Sequence, residues 1–354
     1  MTVPGPIAMS VMSLSPSASD PIIRAPAPRR GSPLGAHVPT GPRRARVAFA
    51  IALVGLLAGC SNSKLVVGAL YDRADDRARS GAEEWVELDA GQSAALDAHV
   101  GTFHTWHRRS ELPRYAALLE EMSDTLGTYG AASREDWTRW LREIDARVEA
   151  LQECHPARFA ASTIATLDAD QVASIEAHRA ERVAEREAER GDRTRAERIE
   201  RRVANVDKWV GRLGVELEDD QLEMIRDAFE RQRSLNEEFR ELSNAWYATL
   251  FELLGETDAP DFEPRLDAHI ASWFTMIEDE HPEAWRENRA LWRDFAVEFE
   301  QTLSGLQRRD ATRWMAKMGR TLEAISRDTP DWLPADDPAF GCLADDAAGS
   351  AASG

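Results

Sequence analysis

The chain has 354 residues, of which 43% are hydrophobic and 30% charged, a composition typical of a globular protein with enough apolar side chains to bury a core. Its formal net charge is −19. Because affinity for phosphate backbones comes from Lys and Arg, a surface this acidic argues against nucleic-acid binding and against anionic lipid headgroups.

The first element in chain order is an export signal. Residues 47–58 are uniformly apolar, and Arg43, Arg44 and Arg46 stand just before them. A basic segment followed by an apolar run of this length predicts a signal peptide, because the run is too short to span a bilayer as a helix. The run ends in Leu-Ala-Gly and Cys60, which resembles the lipobox of bacterial lipoproteins. The alternative is a plain secretory signal followed by a chance cysteine.

The lipobox resemblance implies that Cys60 carries diacylglycerol and an acyl chain, and we expect no other cofactor. Several acyl chains on one residue give stable anchoring, at about 0.8 kcal/mol for each buried CH₂. Ser61 follows the cysteine, and by resemblance to the enteric sorting rule this favours the periplasmic face of the outer membrane. Residues 1–40, rich in Pro, Ser and Ala, are unlike a signal n-region and leave a start downstream of Met1 open.

Two further cysteines remain after the anchor, Cys154 and Cys342. The periplasm is oxidising, so an even pair there is a candidate disulfide. Two free thiols are the alternative, since Cys342 falls in a predicted tail.

The sequence predicts an all-α fold. Helical periodicity runs from about residue 89 to 327, and Gly and Pro are sparse there. We expect a signal peptide (1–59), a lipidated N-terminus and tether (60–85), two helical units (86–210 and 211–330) and a disordered tail (331–354).

One segment of the predicted helical region is strongly charged. Residues 176–202 are rich in Glu and Arg and contain no aromatic residue. Glu and Arg spaced three or four residues apart stabilise a helix by roughly 0.2–0.5 kcal/mol per pair. We predict a solvated helix rather than an RNA-binding arm, because the acids cancel the arginines.

A short motif recurs four times, as a Leu followed four residues later by Gln. Asp, Ser or Glu follows the Leu, as in a capping box, where the first side chain accepts from free N–H groups and the Gln reaches back. Four ordinary helix starts are the alternative to a repeat. The spacings favour two units that each contain a pair of motifs. The first pair is Leu88, Asp89, Gln92 with Leu167, Asp168, Gln171, and the second is Leu217, Gln221 with Leu303, Ser304, Gln307.

These motifs resemble the LTxxQ motifs of the Spy/CpxP-type periplasmic proteins, and the lipobox together with the stretch from Trp106 to Tyr115 resembles a family of proteobacterial envelope lipoproteins. The resemblance covers residues 57–327, although Thr is replaced in all four motifs. It implies an all-helical fold, ATP-independent holding of unfolded envelope proteins, or regulation of a sensor kinase through its periplasmic domain. Two tandem antiparallel hairpin units with pseudo-two-fold symmetry are therefore expected in one chain.

A second candidate site contains His104, His107 and Glu111, which share one helix face at i, i+3 and i+7. Histidine with a carboxylate is a ligand set for Zn or Ni. The alternative is an ordinary half-buried histidine pair beside Trp106.

The sequence holds no Gly-rich phosphate loop, G-x-S-x-G, H-E-x-x-H or Cys-x-x-Cys motif, so we predict a protein that is not an enzyme. Several neighbouring aromatic and Met residues are candidates for a client surface or for core: Trp246, Tyr247, Trp273, Phe274, Trp314 and Met315. The resulting hypothesis is an outer-membrane-tethered binding lipoprotein, and the alternative is a structural or metal-binding lipoprotein without client activity.

Overall fold

The computed structural model describes residues 68, 71, 73–190 and 193–328. Within these residues the regular elements are all helical and no strand occurs, which confirms the predicted all-α class. Cys60 and the predicted signal and tail lie outside the described residues.

The first half of the chain contains seven α-helices and one π-helix, counted over the described residues. They are α1 (Ala74–Glu83), α2 (Ala90–Trp106), a π-helix (His107–Glu111), α3 (Leu112–Tyr129), α4 (Arg134–Glu153), α5 (Pro156–Phe159), α6 (Ala161–Ile164) and α7 (Ala169–Arg190).

The second half, over the described residues, consists of six helices. They are α8 (Arg195–Arg212), α9 (Asp219–Arg231), α10 (Asn236–Leu254), α11 (Phe262–Glu280), α12 (Pro282–Thr302) and α13 (Gly305–Arg327).

The order of elements is the same in the two halves. In each, a helix precedes the first motif, and a helix that ends at a glycine-containing turn follows the motif helix, directly through the π-helix in the first half and after residues 232–235 in the second. A third helix then runs to a His-Pro step, and the second motif opens the last helix. The halves differ in the connection after His-Pro, which is two single turns (α5 and α6) in one and the long α12 in the other.

The two halves are joined by an antiparallel pair, α3 with α13. Ser123 Oγ donates to the carbonyl of Thr312 at 3.1 Å, and a Cβ placed on Gly319 would lie 3.1 Å from the carbonyl oxygen of Ala116. Since Gly has no side chain, the two backbones approach closely at this point. The core along the pair is formed by Leu112, Ala116, Met122, Leu126, Met315, Met318, Leu322 and Ile325.

The folded body extends further towards the N-terminus than the predicted tether allows. Residues 60–85 were expected to be a tether, but Ala74–Glu83 is helical and Tyr71 is 4% exposed in the core with Leu112 and Ile325. Tyr71 is a large aromatic side chain, so its burial stabilises the docked conformation by more than the tether composition suggested.

The boundary between the two units also lies elsewhere than at residue 210. Ile199 and Val203 of α8 pack on Ile225 and Phe229 of α9 and on Phe299 of α12. The four-residue spacing of Ile199 and Val203 places both on one face of α8, and the partners of this face put the whole helix in the second unit.

The charged segment is helical, as predicted, but part of it is buried. Arg179 and Arg182 of α7 are 9% and 8% exposed. Arg179 donates to Asn244 Oδ1 at 2.9 Å, and its guanidinium lies 4.1 Å from the ring centre of Tyr247. Arginine can pack its long stem and planar head against other helices, which a pattern based on charge alone does not anticipate.

Among the described helices, none is both long enough and apolar enough to cross a membrane.

Candidate functional site

All four motifs stand at helix starts. In the first half Asp89 and Asp168 accept hydrogen bonds from the backbone N–H groups of Gln92 and Gln171, each at 2.8 Å. Each glutamine Oε1 accepts in return from the backbone N–H of its aspartate at 3.0 Å. These are reciprocal capping boxes, which satisfy donors that a helix start otherwise leaves free.

The second half repeats this arrangement with one change. Ser304 Oγ accepts from Gln307 N at 3.2 Å, and Gln307 Oε1 accepts from Ser304 N at 2.8 Å. At the other motif Gln221 Oε1 accepts from Glu218 N at 2.9 Å, while Gln221 N donates to Asp220 Oδ1. The helix begins at Asp219 after the N-cap Glu218, whose capping box with Gln221 is complete, and Asp220 is an additional acceptor for the Gln221 N–H.

The capping glutamines also meet in pairs. Gln92 Nε2 donates to Gln171 Oε1 at 2.9 Å, and Gln171 Nε2 donates back to Gln92 Oε1 at 2.7 Å. Gln92 Nε2 also donates to the carbonyl of Thr166 at 3.0 Å, and Gln171 Nε2 to that of Glu87 at 2.7 Å. We call this pair the first glutamine clasp.

The second glutamine clasp joins Gln221 and Gln307. The two Nε2···Oε1 hydrogen bonds measure 3.0 and 2.8 Å, and the side chains are 2% and 6% exposed. Gln221 Nε2 also donates to the carbonyl of Thr302 at 3.1 Å, and Gln307 Nε2 to that of Glu216 at 2.6 Å. Every donor and acceptor of both amides is thus used, which is what burial of an amide requires.

The clasps pair the motifs within each half, as the spacing predicted. The carbonyls of Glu87 and Glu216, and those of Thr166 and Thr302, are partners that sequence reasoning missed. A signal was present, because Val-Glu-Leu precedes the first glutamine of each pair and Thr-Leu precedes the second. The four motif leucines lie half-buried beside the clasps: Leu88, Leu167, Leu217 and Leu303.

The three predicted metal ligands are buried, and two of them form hydrogen bonds with other side chains. His104, His107 and Glu111 are 1%, 3% and 0% exposed. Tyr71 Oη lies 2.8 Å from His107 Nδ1, and Glu111 Oε1 accepts from Arg114 at 2.9 Å. Arg147 of α4 donates to the same Glu111 oxygen at 3.2 Å.

The metal site predicted at His104, His107 and Glu111 is therefore not assembled. Across the described ranges no group of three His, Cys, Asp or Glu side chains has the arrangement needed to hold a metal ion. Tyr71 instead holds His107, and Arg114 and Arg147 hold Glu111, in a segment that takes π geometry from His107 to Glu111.

The π-helix instead carries a buried polar cluster. Arg108 is 2% exposed, and its Nε donates to the carbonyl of Ile325 near the end of α13 at 2.9 Å. Burial, followed by the charge of His104, lowers the pKa of His107 to about 3. Burial, and then the neighbouring Glu111 carboxylate, raises the pKa of the Tyr115 hydroxyl. Near neutral pH, His107 is a neutral hydrogen-bond partner, and the cluster ties the first motif helix to the last helix of the chain.

Cys154 is buried and disulfide-bonded. The predicted partner, Cys342, lies outside the described residues.

The aromatic residues suggested as a client surface are mostly core. Trp246 Nε1 donates to the carbonyl of His269 at 2.8 Å, and the Trp246 and Trp273 rings lie 4.9 Å apart between α10 and α11. Trp246, Trp273 and Trp314 are half-buried, and Met315 is buried.

Two other large apolar side chains are exposed among the described residues. Tyr129, the last residue of α3, is 78% exposed, and Leu306, in the first turn of α13, is 63% exposed. The contact of Ser123 with Thr312 sets the antiparallel register, and this register brings both residues to the same end of the helix pair. We call this pair the apolar tip.

A family model described as a family of unknown function (DUF6279) matches residues 84–280, which is more than half of the chain. No curated protein and no solved structure matches the chain.

Proposed function

We propose that this chain, which belongs to the DUF6279 family, is a lipid-anchored, non-enzymatic binding protein on the periplasmic face of the outer membrane. Its helical body holds unfolded envelope proteins or regulates the periplasmic domain of an envelope-stress sensor. The paired motifs carry this proposal, because they are the feature that resembles the Spy/CpxP-type proteins.

The glutamine clasps support the proposal by their repetition. Two copies of the motif pair, each closed by the same four kinds of hydrogen bond, agree with two tandem units of the resembling type. A fold with an unrelated role has no need to form the same contact between the same motifs twice.

The position of the apolar tip, at the end of the helix pair remote from Tyr71, also supports a binding role. Tyr71 follows the proposed lipid attachment site at Cys60 by eleven residues and packs beside Ile325, at the end of α13 remote from Leu306. Since α3 has 18 residues, the apolar tip lies about 27 Å along the helix pair from this end. An exposed Tyr and Leu at that distance from the Tyr71 end of the helix pair are suited to contact apolar segments in the periplasm.

Suppression of aggregation tests this proposal. The chain from Ser61 onward contains every described residue, and we expect it to delay light scattering by an unfolding client at stoichiometric ratios. The variant Tyr129→Ser/Leu306→Ser should retain its helical circular dichroism and lose most of this effect. If the variant protects the client as well as the parent chain does, the apolar tip is not the client-binding surface. If the parent chain gives no protection, the protein does not hold clients.

A structural role without client activity is the second candidate. The scarcity of exposed large apolar side chains favours it, since Tyr129 and Leu306 are the two found in the described part of the chain. A parent chain that fails to delay aggregation but whose loss alters envelope integrity would support this alternative.

A further inference from the structure

The first two turns of α8 present three arginines on one face. Arg195, Arg198 and Arg202 are spaced i, i+3 and i+7, and helical residues at these spacings are neighbours. Arg195 and Arg198 are exposed and Arg202 is half-buried. We call these three residues the arginine triad.

The contacts of the triad are with carbonyl groups and a ring rather than with carboxylates. Arg195 Nη2 donates to the carbonyls of Glu230 and Gln232 at 2.7 and 3.5 Å, at the end of α9. Arg198 Nη1 donates to the carbonyl of Arg193. The Arg202 guanidinium lies 5.7 Å from the ring centre of Phe229. A guanidinium has five N–H donors, so each arginine retains donors for a ligand.

A neighbouring arginine shows the usual arrangement on this protein. Arg226 of α9 donates to Glu200 of α8 at 2.6 and 3.3 Å, and this carboxylate raises the pKa of Arg226. By contrast, burial and then the positive charges of Arg198 and Arg195 lower the pKa of Arg202. The triad is therefore a local concentration of positive charge, which within the described part of the chain is offset only in part, through the attraction between Arg198 and the Glu197 carboxylate.

The nearest acids are already engaged. Glu197 accepts hydrogen bonds from the backbone N–H and the hydroxyl of Thr194 at 2.7 and 3.0 Å, and so closes the capping box of α8. Glu200 is held by Arg226. In a chain with a formal net charge of −19, three adjacent guanidinium groups that form no salt bridge with the described residues run against the overall distribution of charge.

We propose that the arginine triad is a binding site for a phosphate group, supplied either by free phosphate or by a phospholipid headgroup. Planar guanidinium groups match phosphate oxygens in bidentate geometry, and several on one face share the charge of a single anion. The site is distinct from the glutamine clasps and from the apolar tip, and it does not depend on the client-holding role.

Calorimetry with inorganic phosphate tests this proposal. The full chain with Cys60→Ser is used, so that no lipid anchor contributes, in chloride buffer at fixed ionic strength. We expect saturable binding of phosphate to the parent chain. Arg198→Gln and Arg202→Gln should each weaken it about tenfold, since each removes charge-assisted hydrogen bonds. Arg265→Gln is the control, because it removes the same charge from an arginine already paired with Glu256.

A second arm distinguishes the two sources. Vesicles of phosphatidylcholine with and without phosphatidylglycerol are sedimented with the same variants. Triad-dependent binding only to the anionic vesicles identifies a lipid headgroup, and binding of inorganic phosphate without vesicle binding identifies the free ion. If the protein binds neither inorganic phosphate nor anionic vesicles, the proposal is wrong. It is also wrong if Arg265→Gln weakens binding as much as the triad variants do. If Arg202→Gln fails to fold by circular dichroism, the exposed Arg198→Gln carries the test.

Discussion

The second glutamine clasp makes a quantitative prediction for Gln221→Ala. The Gln221 amide makes four hydrogen bonds, with the backbone of Glu218 and Thr302 and twice with Gln307. At a net value of roughly 0.5–1 kcal/mol each, their loss should lower the free energy of unfolding by about 2–4 kcal/mol. Gln301→Ala, at an exposed glutamine one residue before Thr302, is the matched control and should change it by less than about 0.5 kcal/mol.

The measurement is urea unfolding followed by far-ultraviolet circular dichroism. The dependence of the free energy of unfolding on urea concentration should have the same slope in the parent and the variants. A double-mutant cycle with Gln307→Ala isolates the clasp itself. Because two of the hydrogen bonds belong to both glutamines, the double variant should cost about 1–2 kcal/mol less than the sum of the single variants. A Gln221→Ala protein as stable as Gln301→Ala, or strictly additive effects, would refute the interpretation of the clasp as a stabilising contact.

Four further predictions follow from the structure. Gly319→Ala places a Cβ 3.1 Å from the Ala116 carbonyl oxygen and should destabilise the protein by roughly 1–3 kcal/mol, measured by the same unfolding assay. The pKa of His107 in the folded protein, about 3, lies below the ordinary histidine pKa of 6.5, so the unfolded chain binds the proton first. Stability should therefore fall as pH drops from about 6.5 towards 3, by at most about 1.4 kcal/mol per pH unit, and His107→Phe should flatten this slope. Titration with Zn or Ni should give no more heat than a His104→Ala/His107→Ala variant; an excess would restore the metal hypothesis. Cys60→Ser should abolish palmitate labelling and membrane association, and labelled palmitate on that variant would contradict the lipobox prediction.

The helix starts could be predicted from the sequence because capping is local chemistry. A short acceptor followed three residues later by glutamine satisfies free N–H groups whatever the rest of the fold does, and Asp89, Asp168 and Ser304 are N-caps as expected. The spacing of the four motifs likewise predicted their pairing within each half, since it depends on the duplication and not on detailed packing.

What the sequence did not predict depends on tertiary contacts. The i, i+3, i+7 pattern of His104, His107 and Glu111 gave no sign that Tyr71 would hold His107 and that Arg114 and Arg147 would hold Glu111. The charge pattern of α7 gave no sign that Arg179 packs on Tyr247, because arginine is usually solvated and its burial is decided by the partner surface. Tyr71 was assigned to a tether for the same reason, since a single aromatic residue has no periodicity to mark it as core.

The position of α13 has a consequence for biosynthesis. This last helix covers α3, supplies Gln307 to the second clasp and receives Arg108 from the π-helix, so contacts separated by about two hundred residues close the core. Such long-range closure cannot take place until synthesis has reached the end of the helical region. A nascent chain that lacks residues 305–327 has none of these contacts, so the apolar face of α3 that α13 covers stays exposed until the last part of the helical region is made.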